Sequence, residues 1–106
     1  MVASQLSHQV EVEIRNAQGL HMRPALQIVE LAGSFKSEIT VSNDKESADA
    51  KSIMQMMKML TTYGNKLTFR AAGNDAQEAL EEIRKLVEER LFDEPPAKPF
   101  ARVHKD

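Results

Sequence analysis

Apolar residues recur along the chain at two spacings, and the two spacings alternate. A spacing of two residues predicts half-buried β-strands, and a spacing of three or four predicts amphipathic helices. The residues at the shorter spacing are Val10, Val12 and Ile14, then Phe35, Ile39 and Val41, and then Leu67, Phe69 and Ala71. Those at the longer spacing are Ala25, Ile28, Val29 and Ala32, then Ile53, Met56, Met57 and Leu60, and then Ala76, Leu80, Ile83, Val87 and Leu91.

Residues typical of turns and helix ends separate these segments. Gly33 provides a stop for the first helix, and Asp75 is suited to cap the last one. Polar residues at 42–46 predict a turn that leads into a further short strand at 47–50. The Gly64-Asn65 pair predicts another turn within 61–65. The predicted order is therefore strand, helix, strand, strand, helix, strand, helix.

This order predicts an α+β domain, a two-layer open-faced sandwich with a four-stranded antiparallel sheet and three helices on one face. A length of 106 residues is enough for one such domain. We expect an N-terminal extension at 1–8, the domain at 9–92 and a tail at 93–106. Two consecutive prolines and a third soon after them begin that tail, so we expect it to be mobile.

Composition narrows the functional classes. The 14 Lys and Arg against 16 Asp and Glu give a net charge of −2, which argues against a dedicated nucleic-acid binder. There is no cysteine, which excludes disulfides and thiolate metal sites and fits a reducing compartment. No apolar run reaches the roughly 20 residues of a membrane span. We expect a cytoplasmic protein that does not insert into membranes.

The stretch Gly19-Leu20-His21-Met22-Arg23-Pro24-Ala25 carries the most chemical information. Pro24 suits the first turn of a helix, so His21 lies where a loop ends and a helix begins. Helix N-termini present backbone amides and a partial positive charge, which stabilise a bound phosphate. Arg23 adds a guanidinium that can bind phosphate oxygens in pairs. Each residue alone is ordinary, but together they place a nucleophile beside an anion site.

This stretch, followed by Ala50-Lys51-Ser52-Ile53-Met54, resembles the HPr family of histidine-containing phosphocarrier proteins. The resemblance covers about 9–91, and both motifs have the order and separation found in that family. It implies the same open-faced α+β fold.

The resemblance implies phosphoryl relay in a phosphoenolpyruvate-dependent phosphotransferase system. His21 would accept the phosphoryl group at Nδ1 from enzyme I and pass it to IIA domains of a sugar or nitrogen branch. The amides of Met22 and Arg23 would face the phosphate oxygens, and Arg23 would stabilise the transition state. We expect a monomer without cofactor or metal, which takes part in phosphotransfer but is no independent catalyst.

Ser52 has two interpretations. Serine is a favoured helix N-cap, and the pattern alone favours that role. In some HPr relatives the serine at this point is phosphorylated by an ATP-dependent kinase, which weakens the relay and recruits regulators. An HPr serine kinase/phosphatase and transcription regulators are then further partners of this chain.

The resemblance also implies a partner-docking surface at Met22, Ile53 and Met54. Met54 is predicted to point away from the core stripe, and an exposed methionine can adapt to several partner shapes.

Three departures from the family pattern limit which of the family's residue roles can be assigned to this chain. Gln18 stands where many members have asparagine, Met22 is bulkier than the usual alanine or threonine, and Asp44 replaces a common glycine.

Two alternatives belong to other functional classes. One is a regulatory HPr-like binding protein of the Crh kind, which would act through Ser52 and lack the active histidine, so His21 argues against it. The other is a metal-dependent hydrolase. The three histidines are scattered, and none belongs to a His-x-x-x-His or Glu-x-x-His pair, so the sequence gives a metal ion no convincing ligands.

Overall fold

The computed structural model describes residues 7–14, 20–60 and 66–90. The predicted order of elements is confirmed in these ranges. The strands are β1 (Ser7–Glu13), β2 (Glu38–Ser42), β3 (Ser47–Asp49) and β4 (Lys66–Ala72). The helices are α1 (Met22–Gly33), α2 (Ile53–Met56) with a 3-10 turn at Met57–Met59, and α3 (Ala76–Lys85) with a π-helical turn at Leu86–Arg90.

The strands form a four-stranded sheet in the order β1-β4-β2-β3, with each neighbouring pair antiparallel. Phe69 in β4 is paired with Val10 on one side and with Val41 on the other. Because side chains alternate across a strand, these residues share one face of the sheet. The helices cover this face, and the result is the predicted open-faced α+β sandwich.

The core lies between that face and the helices. Alternate strand residues and one stripe of each long helix are fully or almost fully buried. They include Val12, Ile39, Val41, Leu67, Phe69, Ala71, Ala25, Ile28, Ala32, Ala76, Ala79, Leu80 and Ile83. α1 ends at Gly33 as predicted, and the next residue, Ser34, donates its amide back to Leu31 at 3.0 Å.

The prediction for the second helix is wrong at two positions. Met57 and Leu60 were expected in the core, yet both are exposed, and Met59 is buried in their place. The cause is the change from α-helix to 3-10 helix at Met57. A 3-10 helix has three residues per turn, so Met59 follows Met56 on the buried side.

Phe35 also departs from its predicted position. It was grouped with Ile39 and Val41, but β2 begins only at Glu38. Phe35 lies in the turn after α1, where its amide donates to Ala32 at 3.1 Å and its side chain is half-buried. The turn at 42–46 is confirmed, and the Asn43 side chain accepts from the amides of Lys45 and Glu46 at 2.8 Å each.

Asp75 precedes α3 as predicted, but its side chain does not cap that helix. The carboxylate accepts from the amides of Lys36 and Ser37 at 2.9 Å each and from the Ser37 hydroxyl. The Ser37 hydroxyl and the Lys36 amide, in that order, hold the pKa of Asp75 below its ordinary value of 3.8. We call this arrangement the Asp75 clamp; it joins the start of β2 to the start of α3.

Acidic and basic side chains pair along the exposed side of α3 and the turn that follows it. Arg84 donates to Glu81 at 2.8 Å, and Lys85 lies 3.8 Å from Glu82. The hydrogen bond between Arg84 and Glu81 lowers the pKa of Glu81 and raises that of Arg84. Because Arg84 is three residues from Glu81 and four from Glu88, it reaches both carboxylates.

Several predicted segments lie outside the described residues: the loop predicted at 16–20 except for Leu20, the turn at 61–65, Leu91 and the tail at 93–106. β1 begins at Ser7, two residues before the predicted start of the domain. In the parts of the chain that the structure describes, no helix has the length and apolar content needed to cross a bilayer.

Candidate functional site

His21 occupies the N-cap position of α1. Its backbone is extended, with φ −118° and ψ −171°, and its carbonyl accepts the first backbone hydrogen bond of the helix from Ala25 at 3.0 Å. The imidazole is half-buried and makes no capping hydrogen bond. The ring therefore stands at the start of the helix without being engaged by its backbone.

The residues that follow His21 explain why its side chain does not cap the helix. A capping side chain usually accepts from the second or third helical amide, and the third helical residue here is Pro24, which has none. Pro24 is buried, so it fixes the direction of the first turn against the core. The helix begins with the amides of Met22 and Arg23, at the end where the dipole is positive. Such an end stabilises an anion placed beside it.

Arg23 lies two residues after His21 and is exposed. A guanidinium on the first helical turn adds a positive charge to that of the helix end, and it can form paired hydrogen bonds with phosphate oxygens. His21, Met22 and Arg23 thus lie at the helix start that the sequence predicts. Their combined chemistry is a nucleophilic nitrogen beside a site that favours a phosphate dianion.

The position of this helix start depends on elements distant in sequence. The π-helical turn after α3 packs against both β1 and α1, the two elements that precede and follow His21 in the described part of the chain. Glu88 in that turn accepts from the amide of Glu13, at the end of β1, at 3.2 Å. Arg84 donates to the other oxygen of Glu88 at 3.3 Å. The end of β1 is thereby held against the last helical turn.

Ser52 caps α2, which confirms the structural interpretation of this residue. Its hydroxyl oxygen accepts from the amide of Gln55 at 3.2 Å. The Gln55 side chain in turn accepts from the amide of Asp49 at 2.9 Å, and the Asp49 carboxylate accepts from the amide of Lys51 at 2.9 Å. These bonds define a tight turn between β3 and α2, so the orientation of Ser52 is set locally.

α2 packs against α1, which brings the segment after Ser52 next to the helix that begins at His21. The Lys51 side chain supports this arrangement, because its Nζ donates to the carbonyl of Phe35 at 2.8 Å, just after α1. This role of Lys51 is not predicted from the sequence. A lysine between a turn and a capping serine carries no signal of a contact 16 residues away.

Exposed apolar side chains lie on these two helices. Met22 and Met54 are exposed as predicted, and Ile53 is half-buried. Leu26, Met57 and Leu60 are exposed as well, and the sequence analysis did not assign them to this surface. The spacing of four from Met22 to Leu26, and of three from Met54 to Met57, could have indicated them. We call these six residues the apolar face.

The described residues contain no group of three or more histidine or acidic side chains that could hold a metal ion. His8 lies on β1, apart from His21, and lines a hollow of about 320 Å³ with Gln77, Leu80 and Glu81 of α3. This hollow is formed by elements other than the two that carry His21 and Ser52.

Comparison with known proteins gives matches over most of the chain. A family model described as "PTS HPr component phosphorylation site" matches residues 8–89. Phosphocarrier protein HPr of Haemophilus influenzae is 44% identical over 77 residues, which are 73% of this chain and 91% of that protein.

Solved structures agree with the fold. A crystal structure of HPr from Thermoanaerobacter tengcongensis has a TM-score of 0.76 and 39% identity, and the match covers 83% of this chain and 98% of that chain. The crystal structure of Crh from Bacillus subtilis, described as a swapped, intertwined dimer, has a TM-score of 0.62 and 40% identity. That match covers 74% of this chain and 90% of the other.

Proposed function

Because the chain belongs to the HPr family of phosphocarrier proteins, we propose that His21 is the residue that carries the phosphoryl group. It accepts the group from phosphorylated enzyme I and passes it to IIA domains of a sugar or nitrogen phosphotransferase system in the cytoplasm. Phosphoenolpyruvate is the donor upstream of enzyme I. The main support for this proposal is that His21 lies at the start of α1 and its imidazole makes no capping hydrogen bond with the helix.

The transfer exchanges one phosphorus–nitrogen bond for another. Nδ1 of neutral His21 attacks the phosphorus of a phosphohistidine on enzyme I, and the bond to the donor nitrogen breaks as the new bond forms. The electron pair of the broken bond returns to the donor imidazole. The same step runs in reverse toward an acceptor, because both sides are phosphoimidazoles of similar energy. A relay requires this reversibility.

The chain stabilises charge during the transfer. The amides of Met22 and Arg23 at the positive end of α1 face the phosphoryl oxygens, and the Arg23 guanidinium balances their charge. Phosphoryl transfer depends mainly on alignment and on such electrostatic stabilisation. The partner supplies the other half of the site, so the chain alone catalyses no reaction.

The apolar face is the surface on which enzyme I and IIA domains dock. It lies on α1 and α2, so a partner seated there covers the start of α1 that carries His21. Methionine side chains are flexible enough to fit more than one partner. This favours a single surface that serves donor and acceptors in turn.

A second function, regulation through Ser52, is favoured by its position at the N-terminus of α2 beside Ile53 and Met54. A phosphate there still accepts from the amide of Gln55 and benefits from the helix end, so the fold tolerates it. Its charge of about −2 then borders the docking surface and repels acidic partners. An HPr serine kinase/phosphatase would control this step, and transcription regulators would bind the modified form.

We propose a monomer as the working form, although Crh of B. subtilis crystallised as a swapped dimer. Light scattering over a wide range of protein concentrations distinguishes the two states. A mass near 11.9 kDa at all concentrations supports the monomer. A mass of twice that value contradicts it.

The experiment that tests the function uses enzyme I, labelled phosphoenolpyruvate and three carriers: wild type, His21→Ala and His8→Ala. We expect acid-labile label on wild type and on His8→Ala, and none on His21→Ala. The His8 variant is the matched control, because it removes a histidine from the same fold. Label retained by His21→Ala would refute the assignment. No label on wild type with a competent enzyme I would favour the Ser52-centred regulator.

A further inference from the structure

The methionines of this chain divide sharply between surface and core. Among those in the described residues, Met54 is 77% exposed, Met57 49% and Met22 39%, whereas Met56 and Met59 are buried. The sequence has no cysteine. Sulfur oxidation in this protein therefore falls on thioethers, and burial decides which of them an oxidant reaches.

The exposed thioethers coincide with the apolar face. Met22 is the residue after His21 and the first residue of α1. Met54 and Met57 are three residues apart, on the second residue of α2 and the first of the 3-10 turn. A change in their polarity acts on the surface that partners must contact, whereas His21, Arg23 and the buried core keep their structure.

We propose that Met54, Met57 and Met22 form an oxidation site through which peroxides weaken partner docking. The proposal rests on the function proposed above. In this step a sulfur lone pair attacks one oxygen of a hydroperoxide, the O–O bond breaks and an S–O bond forms. Sulfur is oxidised by two electrons, and the other oxygen leaves as water or an alcohol after taking up a proton. A dithiol-dependent sulfoxide reductase reverses the change, with the dithiol becoming a disulfide and the oxygen leaving as water.

The effect on docking follows from polarity. A thioether at a contact is apolar and flexible, whereas a sulfoxide carries a strong dipole that remains solvated in water and loses that solvation when a partner covers it. Loss of one well-buried methionine contact corresponds to about a tenfold loss of affinity or more. We therefore expect oxidation to raise the KM for the carrier, measured with phosphorylated enzyme I, by at least about tenfold. The rate at saturation should change much less.

The test begins with the carrier alone, so that enzyme I is never exposed to the oxidant. Wild type is treated with hydrogen peroxide, catalase removes the excess, and peptide mass spectrometry measures sulfoxide at each methionine. Initial rates of transfer from phosphorylated enzyme I are then measured against carrier concentration. We expect sulfoxide first at Met54, then at Met57 and Met22, with Met56 and Met59 unmodified and the circular dichroism spectrum unchanged.

The control is the Met22→Leu/Met54→Leu/Met57→Leu variant, which keeps an apolar face of similar volume. Each protein is compared with itself before and after peroxide. The variant should keep its own KM after treatment, and sulfoxide reductase with dithiothreitol should restore the KM of oxidised wild type.

The outcomes separate this inference from the proposed function. If untreated wild type takes up phosphate and oxidation leaves its KM unchanged, the inference is wrong and the function stands. The inference is equally wrong if peroxide raises the KM of the leucine variant as much as that of wild type. If untreated wild type takes up no phosphate from a competent enzyme I, the proposed function and this inference fail together.

Discussion

Gly73 provides a sharp test of the structure, because its place in the fold depends on the absence of a side chain. It lies between β4 and α3 with a φ of +145°, a conformation that L-residues rarely adopt. A Cβ built on Gly73 would lie 2.5 Å from the Ser37 hydroxyl oxygen and 2.8 Å from the Ser37 Cα. Ser37 is buried and belongs to the Asp75 clamp, so it cannot move aside without disturbing that clamp.

We expect Gly73→Ala to lower the free energy of unfolding by about 2–6 kcal/mol. Backbone strain at a φ suited to glycine contributes about 1–3 kcal/mol. Overpacking against Ser37 contributes a similar amount, about 1–3 kcal/mol. Urea unfolding followed by circular dichroism measures the change, and the slope of the transition should stay constant.

Gly33→Ala is the matched control. Gly33 is the last residue of α1, and a Cβ there would meet no atom within 4 Å. Replacing a helical glycine by alanine reduces the entropy of the unfolded chain, so we expect stabilisation by about 0.5–1 kcal/mol. A Gly73→Ala variant that unfolds at the wild-type urea concentration would contradict the predicted clash with Ser37, as would a Gly33→Ala variant that is the more destabilised of the two.

The remaining predictions concern acid stability, helix capping and the core. Because the pKa of Asp75 is lowered in the folded state, its carboxylate stabilises the fold above pH 3.8 and loses this effect as the pH falls through the lowered pKa. Urea titrations in this acid range should show a shallower loss of stability for Asp75→Asn than for wild type, and parallel curves would contradict the clamp. Ser52→Ala should lower the free energy of unfolding by about 1 kcal/mol, because it removes the cap of α2. Ser52→Asp keeps the cap and should remain within about 0.5 kcal/mol of wild type. Equal losses of stability in the two variants, measured by urea unfolding, would show that Ser52 does not act as a cap. In the same assay, Met59→Ala should lower the free energy of unfolding by about 2–5 kcal/mol, and Met57→Ala should lower it by at most about 1 kcal/mol. The reverse order would mean that Met57, and not Met59, is buried in the core.

Most of the fold could be predicted because its signals are local. Strand residues alternate and helical residues recur over several turns, so periodicity identifies each element, although β2 begins three residues after Phe35. The helix starts at His21 and Ser52 were predicted for the same reason, since proline and a capping serine act within one turn. Burial then follows from the face that each element turns toward the core.

The wrong predictions depend on distant contacts or on a change of helix type. The Asp75 carboxylate does not cap α3 as expected, because Lys36 and Ser37, at the start of the neighbouring strand β2, present two amides and a hydroxyl to it. Nothing near Asp75 in the sequence signals such donors. Likewise the shift from α-helix to 3-10 helix exchanges Met57 for Met59 in the core, and a pattern built on 3.6 residues per turn cannot anticipate it.

We propose that Nδ1 of His21 carries the phosphoryl group. Phosphorus and nitrogen NMR of ¹⁵N-labelled protein, recorded during turnover with enzyme I and phosphoenolpyruvate, tests it most directly. We expect one new phosphorus signal coupled to Nδ1 of His21, and that signal should disappear when a IIA domain is added. A signal coupled to another nitrogen, or a phosphate bound to a hydroxyl, would contradict it.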